Sequence, residues 1–109
     1  MEGAPSNEQR QHIPANNKKY VLWLFVAGDR PNSLQARKNI EQIREVHLQG
    51  YCDVTVFDVF QDFKIALENG VLVTPTLLRV SPLPRITILG NLSDTAKVLA
   101  ALQLAPGKQ

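Results

Sequence analysis

The chain has 109 residues, of which 44% are hydrophobic and 20% are charged, with a formal net charge of +2. This length suits one domain and is short for two. Between Tyr20 and Leu104 the basic and acidic residues balance, which argues against a nucleic-acid-binding surface. No apolar run approaches the roughly 20 residues that span a membrane.

The two ends differ in composition from the middle of the chain. Residues 1–19 are rich in Pro, Asn, Gln and charged side chains, which predicts a flexible tail without a secretory signal. Residues 105–109 predict a helix stop and a short second tail. The folded domain is therefore expected to span residues 20–104. The single cysteine, Cys52, cannot form an internal disulfide, which fits a cytoplasmic location.

The first half of the domain predicts a strand followed by a helix. The strand, Tyr20–Ala27, is a near-continuous apolar run rich in aromatic and β-branched residues, as in strands buried on both faces. After a polar break, Asn32 and Gln35 resemble a capping box that opens a helix. Gly50 is expected to end this helix. Its predicted apolar face consists of Leu34, Ala36, Ile40, Ile43 and Val46.

The middle of the domain predicts a second strand and a short helix. Residues 53–59 alternate in a β-favouring pattern, and the strand–helix–strand order favours a right-handed unit with parallel strands. A short helix is predicted at residues 62–68, with Phe63, Ala66 and Leu67 on one side of it.

The last part predicts two strands and a final helix. A third strand is expected after Pro75 and a fourth at residues 85–89, antiparallel because their connection is short. Ser93 is expected to cap the final helix, and Asp94 to lie at its positive end. Val98, Leu99 and Leu102 would then face the sheet. The predicted fold is α/β, with the order βαβαββα of thioredoxin-like proteins.

Redox chemistry of the thioredoxin type needs a low-pKa thiolate at the start of the first helix. Residues 28–33 contain no cysteine, and Cys52 lies at the start of the second strand, so we expect an inert packing thiol and no enzymatic activity.

Thr74 and Pro75 predict a rigid turn before the third strand and resemble the cis-proline loop of thioredoxin folds. His12 and His47 stand alone, so we expect neither a metal nor a cofactor.

Three pairs of segments together resemble the KaiB family. They are Tyr20–Gly28 with Pro31–Ser33, Val56–Val59 with Val73–Leu77, and Pro82–Arg85 with Gly90–Asp94. The resemblance covers residues 20–104 and implies a non-enzymatic protein that binds a KaiC-type ATPase in circadian or related timing or stress regulation. It also implies two folds, a thioredoxin-like monomer that binds the ATPase and an oligomer with another topology in its second half.

The resemblance further implies a contact surface on the first helix, the loop before it, and the segment after the second strand. The residues concerned are Gly28, Asp29, Asn32, Arg37, Gln61 and Lys64. Gln61 and Gly70 stand where the clock members tend to carry lysine, which predicts a divergent paralogue with a different or weaker partner. KaiA-like proteins, histidine kinases and a second copy, in a dimer or tetramer, are further partners in this view.

Gly90 and Asp94 flank the predicted junction between the fourth strand and the last helix. They suit a turn glycine and a helix-start carboxylate, or alternatively residues that tune the balance between two folds. Two other functions stay open on sequence grounds. One is a thioredoxin-fold oxidoreductase that uses Cys52 alone, and the other is a chaperone-like module that binds unfolded clients.

Overall fold

Three helices and four strands make up the part of the chain that the computed structural model describes, residues 19–48 and 51–102. The predicted tails, and the predicted end of the first helix at Gly50, lie outside these residues, apart from Lys19. In chain order the elements are β1 (Tyr20–Val26), α1 (Pro31–Ile43), a π-helical turn (Arg44–Leu48), β2 (Cys52–Asp58), α2 (Phe63–Glu68), β3 (Thr76–Ser81), β4 (Ile86–Leu89) and α3 (Thr95–Ala101).

The four strands form one mixed sheet in the order β2-β1-β3-β4. β1 pairs in parallel with β2 and antiparallel with β3, and β4 pairs antiparallel with β3. This order confirms the predicted α/β fold with the thioredoxin-like arrangement βαβαββα. The second half of the chain takes this arrangement rather than the other topology that the family resemblance implies.

The sheet carries helices on both faces because successive side chains of a strand point to opposite sides. One face packs against α1 and α3 and contains most of the core, including Leu22, Leu24, Ile40, Leu77 and Leu99. The other face carries α2 and an aromatic cluster. In that cluster the Phe25 and Phe57 rings stack at 5.1 Å between centroids, and the Trp23 ring meets Phe57 edge-on at 5.3 Å.

The predicted capping box at the start of α1 is wrong. The helix begins at Pro31, whose missing N–H suits the first position, and Arg30 at the N-cap makes no side-chain cap hydrogen bond. Ser33 turns inward instead, and its hydroxyl accepts a hydrogen bond of 2.9 Å from the Ala27 N–H. The helix therefore buries Ser33, Ala36, Ile40 and Ile43. Two members of the predicted apolar face are exposed, Leu34 by 46% and Val46 by 55%.

α3 is capped one residue later than the sequence predicts. The Asp94 carboxylate, not the Ser93 hydroxyl, accepts a hydrogen bond from the Lys97 N–H at 3.1 Å. Ser93 instead donates its own N–H to the Asn91 side chain. The predicted inward side of α3 is confirmed, since Val98, Leu99 and Leu102 are all buried.

Arg79 of β3 is a charged residue inside the main core, with only 2% of its surface exposed. Its guanidinium donates to the Leu102 carbonyl at 2.7 Å and to the Pro84 carbonyl at 2.9 Å, and lies 5.8 Å from the Tyr20 ring centre. The side chain thereby links the end of α3 to the turn before β4.

Among the described helices, none combines the length and apolar character needed to cross a membrane.

Candidate docking surface

Two loops meet where β1 and β2 end, because the strands are parallel and finish at the same edge of the sheet. The first loop joins β1 to α1 and the second joins β2 to α2. The Asp58 carboxylate, at the end of β2, ties them together. It accepts hydrogen bonds from the Gly28 N–H at 3.2 Å and from the Phe60 N–H at 3.0 Å.

The Phe60 ring rests on the first of these loops. Gly28 has a φ of +50°, and a Cβ at this position would lie 3.2 Å from the ring. Glycine therefore serves two needs here, the left-handed backbone and the space for the ring. The Arg30 guanidinium lies 5.7 Å from the centre of the same ring, within the range of a cation–π contact. Phe60 nevertheless stays 62% exposed.

α2 turns two of its four apolar side chains outward. The sequence predicts Phe63, Ala66 and Leu67 on one side of this helix, and of these three only Ala66 is buried. Phe63 is 62% exposed and Leu67 is 63% exposed. Residues four apart lie on the same side of a helix, and these two side chains therefore form an apolar ridge.

The segment between α2 and β3 extends this apolar surface. Helix α2 ends where the Val71 N–H bonds to the Ala66 carbonyl, at 2.9 Å. The segment then runs past Leu72, 86% exposed, and Val73, 52% exposed, to a cis Thr74–Pro75 peptide bond. Two hydrogen bonds fix its end. The Thr76 hydroxyl donates to the Val73 carbonyl at 2.6 Å, and the Gly90 N–H donates to the Pro75 carbonyl at 3.0 Å.

These features surround an open cavity of about 370 Å³ with mostly apolar walls. Among the described residues that line it, Arg30 is the one charged residue and Thr74 is polar. Contiguous exposed apolar surface on a small protein commonly marks a site of protein interaction. We call the exposed apolar side chains around this cavity the docking surface: Phe60, Phe63, Leu67, Leu72 and Val73.

The residues that the family resemblance assigns to partner contact fall into two groups. Gly28 supports the Phe60 ring, and Asp29, Gln61 and Lys64 are exposed in the segments beside the cavity without lining it. Asn32 and Arg37 are exposed on α1, the helix that packs on the opposite face of the sheet. The structure therefore brings the first four to one edge of the molecule and leaves Arg37 away from the cavity.

The sequence pointed to two segments of this surface but not to the side chains that dominate it. The loop before the first helix contains Arg30, and the segment after the second strand contains Phe63 and Leu67, yet none of these side chains was singled out for partner contact. Phe60 and Leu72 belong to no motif, and Val73 was noted only as part of the segment Val73–Leu77. The available signal was the excess of apolar residues around α2, since four of its six residues are apolar and a helix that short buries few of them.

The junction between β4 and α3 contains both residues proposed to control the fold. Gly90 has a φ of +106° and open space around its Cα, and Asp94 caps α3. Buried Leu92 also has a positive φ, 65°. Side-chain amides connect the junction to α1, because Asn39 donates to the Asn91 carbonyl at 2.7 Å and Asn91 donates to the Asn32 side chain at 3.4 Å.

Cys52 lies at the start of β2 within the main core, with 5% of its surface exposed. Burial, reinforced by the neighbouring Asp53 carboxylate, raises the pKa of its thiol to about 12. The thiol is therefore protonated at neutral pH and is not the reactive thiolate that exchange chemistry requires. Within residues 19–48 and 51–102, no group of three His, Cys, Asp or Glu side chains is arranged to hold a metal ion.

Comparison with known proteins identifies the family of the chain. The model of the KaiB domain matches residues 23–104. The chain belongs to the KaiB family. The circadian clock oscillator protein KaiB of Synechococcus elongatus is 46% identical over 91 residues, which cover 84% of this chain and 89% of that protein. The protein of the same name from Microcystis aeruginosa is 46% identical over 87 residues, covering 80% and 84% of the two chains.

Solved structures with this fold include the N-terminal domain of SasA and several thioredoxins. The N-terminal domain of Synechococcus elongatus SasA superimposes with a TM-score of 0.65 at 22% identity, covering 84% of this KaiB-family chain and 90% of that domain. Chloroplastic thioredoxin z gives a TM-score of 0.65 at 20% identity, with coverage of 90% and 88%. These likenesses confirm the thioredoxin-like fold.

Proposed function

We propose that this KaiB-family chain is a non-enzymatic, cytoplasmic binding protein that docks on a KaiC-type ATPase and acts in circadian or related timing or stress regulation. The observation that carries the proposal is the docking surface, an apolar ridge on α2 continuous with exposed Leu72 and Val73. Membership of the family supplies the class of partner. The buried, protonated Cys52 gives no support to an oxidoreductase.

The docking surface fits a protein partner better than a small molecule. Its five apolar side chains are each more than half exposed, so they protrude rather than line a closed pocket. Apolar anchors of this kind supply most of the free energy of an interface when a partner covers them. Gly28, Asp29, Gln61 and Lys64 would then form part of the polar rim, and Arg37 and Asn32 would lie outside the contact.

The proposal is tested with a double variant, Phe63→Ser with Leu67→Ser, in co-purification with a KaiC-type ATPase encoded in the same genome. Each truncation removes roughly 1.5–3 kcal/mol of apolar burial if the partner covers the side chain, so we expect a loss of affinity of at least about tenfold. Both residues are exposed, so we expect the variant to fold with a stability close to that of the wild type.

The matched control is Leu34→Ser with Val46→Ser, which removes exposed apolar side chains from α1 and from the π-helical turn that follows it, on the other side of the sheet. This control is expected to bind as the wild type does. Absence of binding by the wild-type chain would refute the proposed function. Equal loss in both double variants would refute the assignment of the contact to α2.

We also propose that Gly90 and Asp94 bias the chain between the thioredoxin-like arrangement and the other topology that the family resemblance implies. Support comes from their positions, a positive-φ glycine at the end of β4 and the cap of α3. Substitutions at this junction would alter elements of the second half while leaving the contacts between β1, β2 and α1 in place. KaiA-like proteins, histidine kinases and a second copy of the chain are further partners in this proposal.

A further inference from the structure

Arg30 stands out among the residues around the cavity. It is exposed, it is the one charged side chain among the described residues that line the cavity, and its guanidinium lies over the Phe60 ring, 5.7 Å from the ring centre. The ion pairs between described side chains are Lys19–Asp53 and Arg44–Glu41, and neither involves Arg30 or the adjacent Asp29. A guanidinium stacked on an aromatic ring keeps N–H groups free at its edge.

Arg30 stands at a helix position that favours a capping or acidic side chain, with one carboxylate, that of Asp29, next to it in the chain. Arg30 is the N-cap of the 13-residue helix α1, which has no acidic residue in its first turn. The N-terminus of a helix carries a partial positive charge and favours Ser, Thr, Asp or Asn at the cap. A positively charged side chain at the N-cap departs from this preference, and such departures are expected at functional sites.

We propose that Arg30 and Phe60 recognise a carboxylate of the partner that lies next to a large apolar side chain. The carboxylate accepts hydrogen bonds from the Arg30 guanidinium, and the apolar side chain enters the cavity of about 370 Å³. This inference rests on the proposed docking on a partner protein and adds the chemistry that the partner must present.

Three features of the cavity and its surroundings support this occupant. The cavity walls are apolar, which suits an apolar side chain. The single charged lining residue is positive, and the end of α1 beside it has the same sign, so both attract a carboxylate. Contact with Phe60 limits the rotamers of Arg30 before binding, which reduces the entropy that binding would otherwise lose.

The first arm of the test uses small peptides and needs no ATPase. Acetyl-Glu-Phe-amide and acetyl-Gln-Phe-amide are titrated into the wild-type chain at millimolar concentration while NMR follows the Arg30 side-chain Nε–H and the backbone signals of Phe60 and Val73. We expect the Glu peptide to shift these signals about fivefold more than the Gln peptide. Equal shifts with both peptides, or shifts with neither, would overturn the inference.

The second arm uses the KaiC-type ATPase and substitutions at Arg30. We expect Arg30→Gln to weaken binding about tenfold and to reduce its dependence on salt, because one charged contact is lost. Arg30→Glu should weaken binding further. The control, Lys38→Gln, removes the same charge from an exposed position on α1 and is expected to bind as the wild type does.

The two arms separate the two claims. Binding of the ATPase with equal affinity by Arg30→Gln and Lys38→Gln would overturn the inference while the proposed function stands. Selective binding of the Glu peptide, with no binding of the ATPase by the wild type, would overturn the proposed function while the carboxylate site stands.

Discussion

Single residues in this chain differ sharply in how well the sequence predicts their roles. Cys52 is an informative case, because its distance along the chain from the start of α1 was enough to predict an inert thiol. Arg79 is the opposite case. Nothing in its neighbourhood distinguishes it from an exposed strand residue, and only the fold shows its guanidinium buried against the Leu102 and Pro84 carbonyls.

The exposure of the side chains on the docking surface, like the burial of Arg79, cannot be predicted from the local sequence. Phe60 is exposed because the Asp58 carboxylate fixes the loop that carries it, and because Gly28 leaves room for its ring. Two contacts hold this arrangement across about 30 positions of the chain. The Gly28 N–H donates to the Asp58 carboxylate, and Gly28 lies against the Phe60 ring. A local pattern cannot report contacts at that separation.

At the residue scale, Cys52 gives a prediction with a definite pH range. Its pKa is raised from 9.0 to about 12 in the folded chain, so the folded state holds the proton more tightly than the unfolded state does. The resulting stability is fully present below pH 9 and is lost as the pH rises toward 12. We expect the free energy of unfolding of the wild type to fall relative to that of Cys52→Ala above pH 9.

Urea denaturation of both proteins between pH 7 and pH 11 checks this expectation. Alkylation gives a second readout. At pH 8 iodoacetamide should leave Cys52 unmodified in the native protein and should modify it fully in urea. Rapid native labelling, or a constant stability difference between the two proteins across the pH range, would show that the thiol is not buried as described.

At the scale of elements, strand and helix positions follow closely from the sequence. The four strands and the starts of the three helices lie within a few residues of their predicted limits, because hydrophobic period and turn residues are local signals. Which side of a helix is buried depends on what packs against it. α2 is only six residues long and sits on a sheet face that α1 and α3 do not cover, so Phe63 and Leu67 find no buried position.

The first residues of the helices are also predicted only approximately from the sequence. The sequence offers Asn32 and Ser93 as caps, whereas α1 starts at Pro31 without a side-chain cap and α3 uses Asp94. Both errors are of one residue or two. They arise because the loop before each helix, which is fixed by tertiary contacts such as Ser33 with Ala27, decides where the first turn begins.

The element-scale prediction concerns the junction between β4 and α3. Gly90 has a φ of +106°, so Gly90→Ala should destabilise the thioredoxin-like arrangement by about 1–2 kcal/mol through backbone strain alone. If the junction biases the balance between two folds, the variant should also show a second set of NMR signals or a change of oligomeric state.

Gly70→Ala is the matched control for this experiment. Gly70 also has a positive φ, +73°, and open space around its Cα, but it lies between α2 and β3. We expect Gly70→Ala to lose similar stability, measured by urea denaturation, while keeping one set of signals. A second set in both variants, or in neither, would contradict a specific role for the junction.

At the scale of the whole molecule, the order of strands and helices was predictable and the interaction surface was not. The order βαβαββα follows from local patterns together with the rule that a strand–helix–strand unit is right-handed. The docking surface arises only when parallel β1 and β2 bring two loops to one edge and α2 lies on the less covered face. Of the residues that the family resemblance implies for partner contact, Gly28, Asp29, Gln61 and Lys64 lie at this edge, whereas Arg37 does not.

The two faces of the sheet differ in how completely helices cover them, and this difference gives them different roles. α1 and α3 pack over the main core and use most of the buried apolar residues. The face that carries α2 has a smaller core, with Trp23, Phe57 and Val80 only partly buried. Docking of a partner on this side would complete the burial that the short helix leaves unfinished.

The central claim is that a KaiC-type ATPase binds the α2 side of this KaiB-family chain. The most direct measurement is NMR of the isotope-labelled chain as unlabelled ATPase is added. We predict that shifts and line broadening concentrate at Phe60, Phe63, Leu67, Leu72 and Val73, while Leu34 on α1 and Val46 in the π-helical turn after it stay unchanged. Changes confined to α1 and α3, or no change at saturating ATPase, would contradict the account.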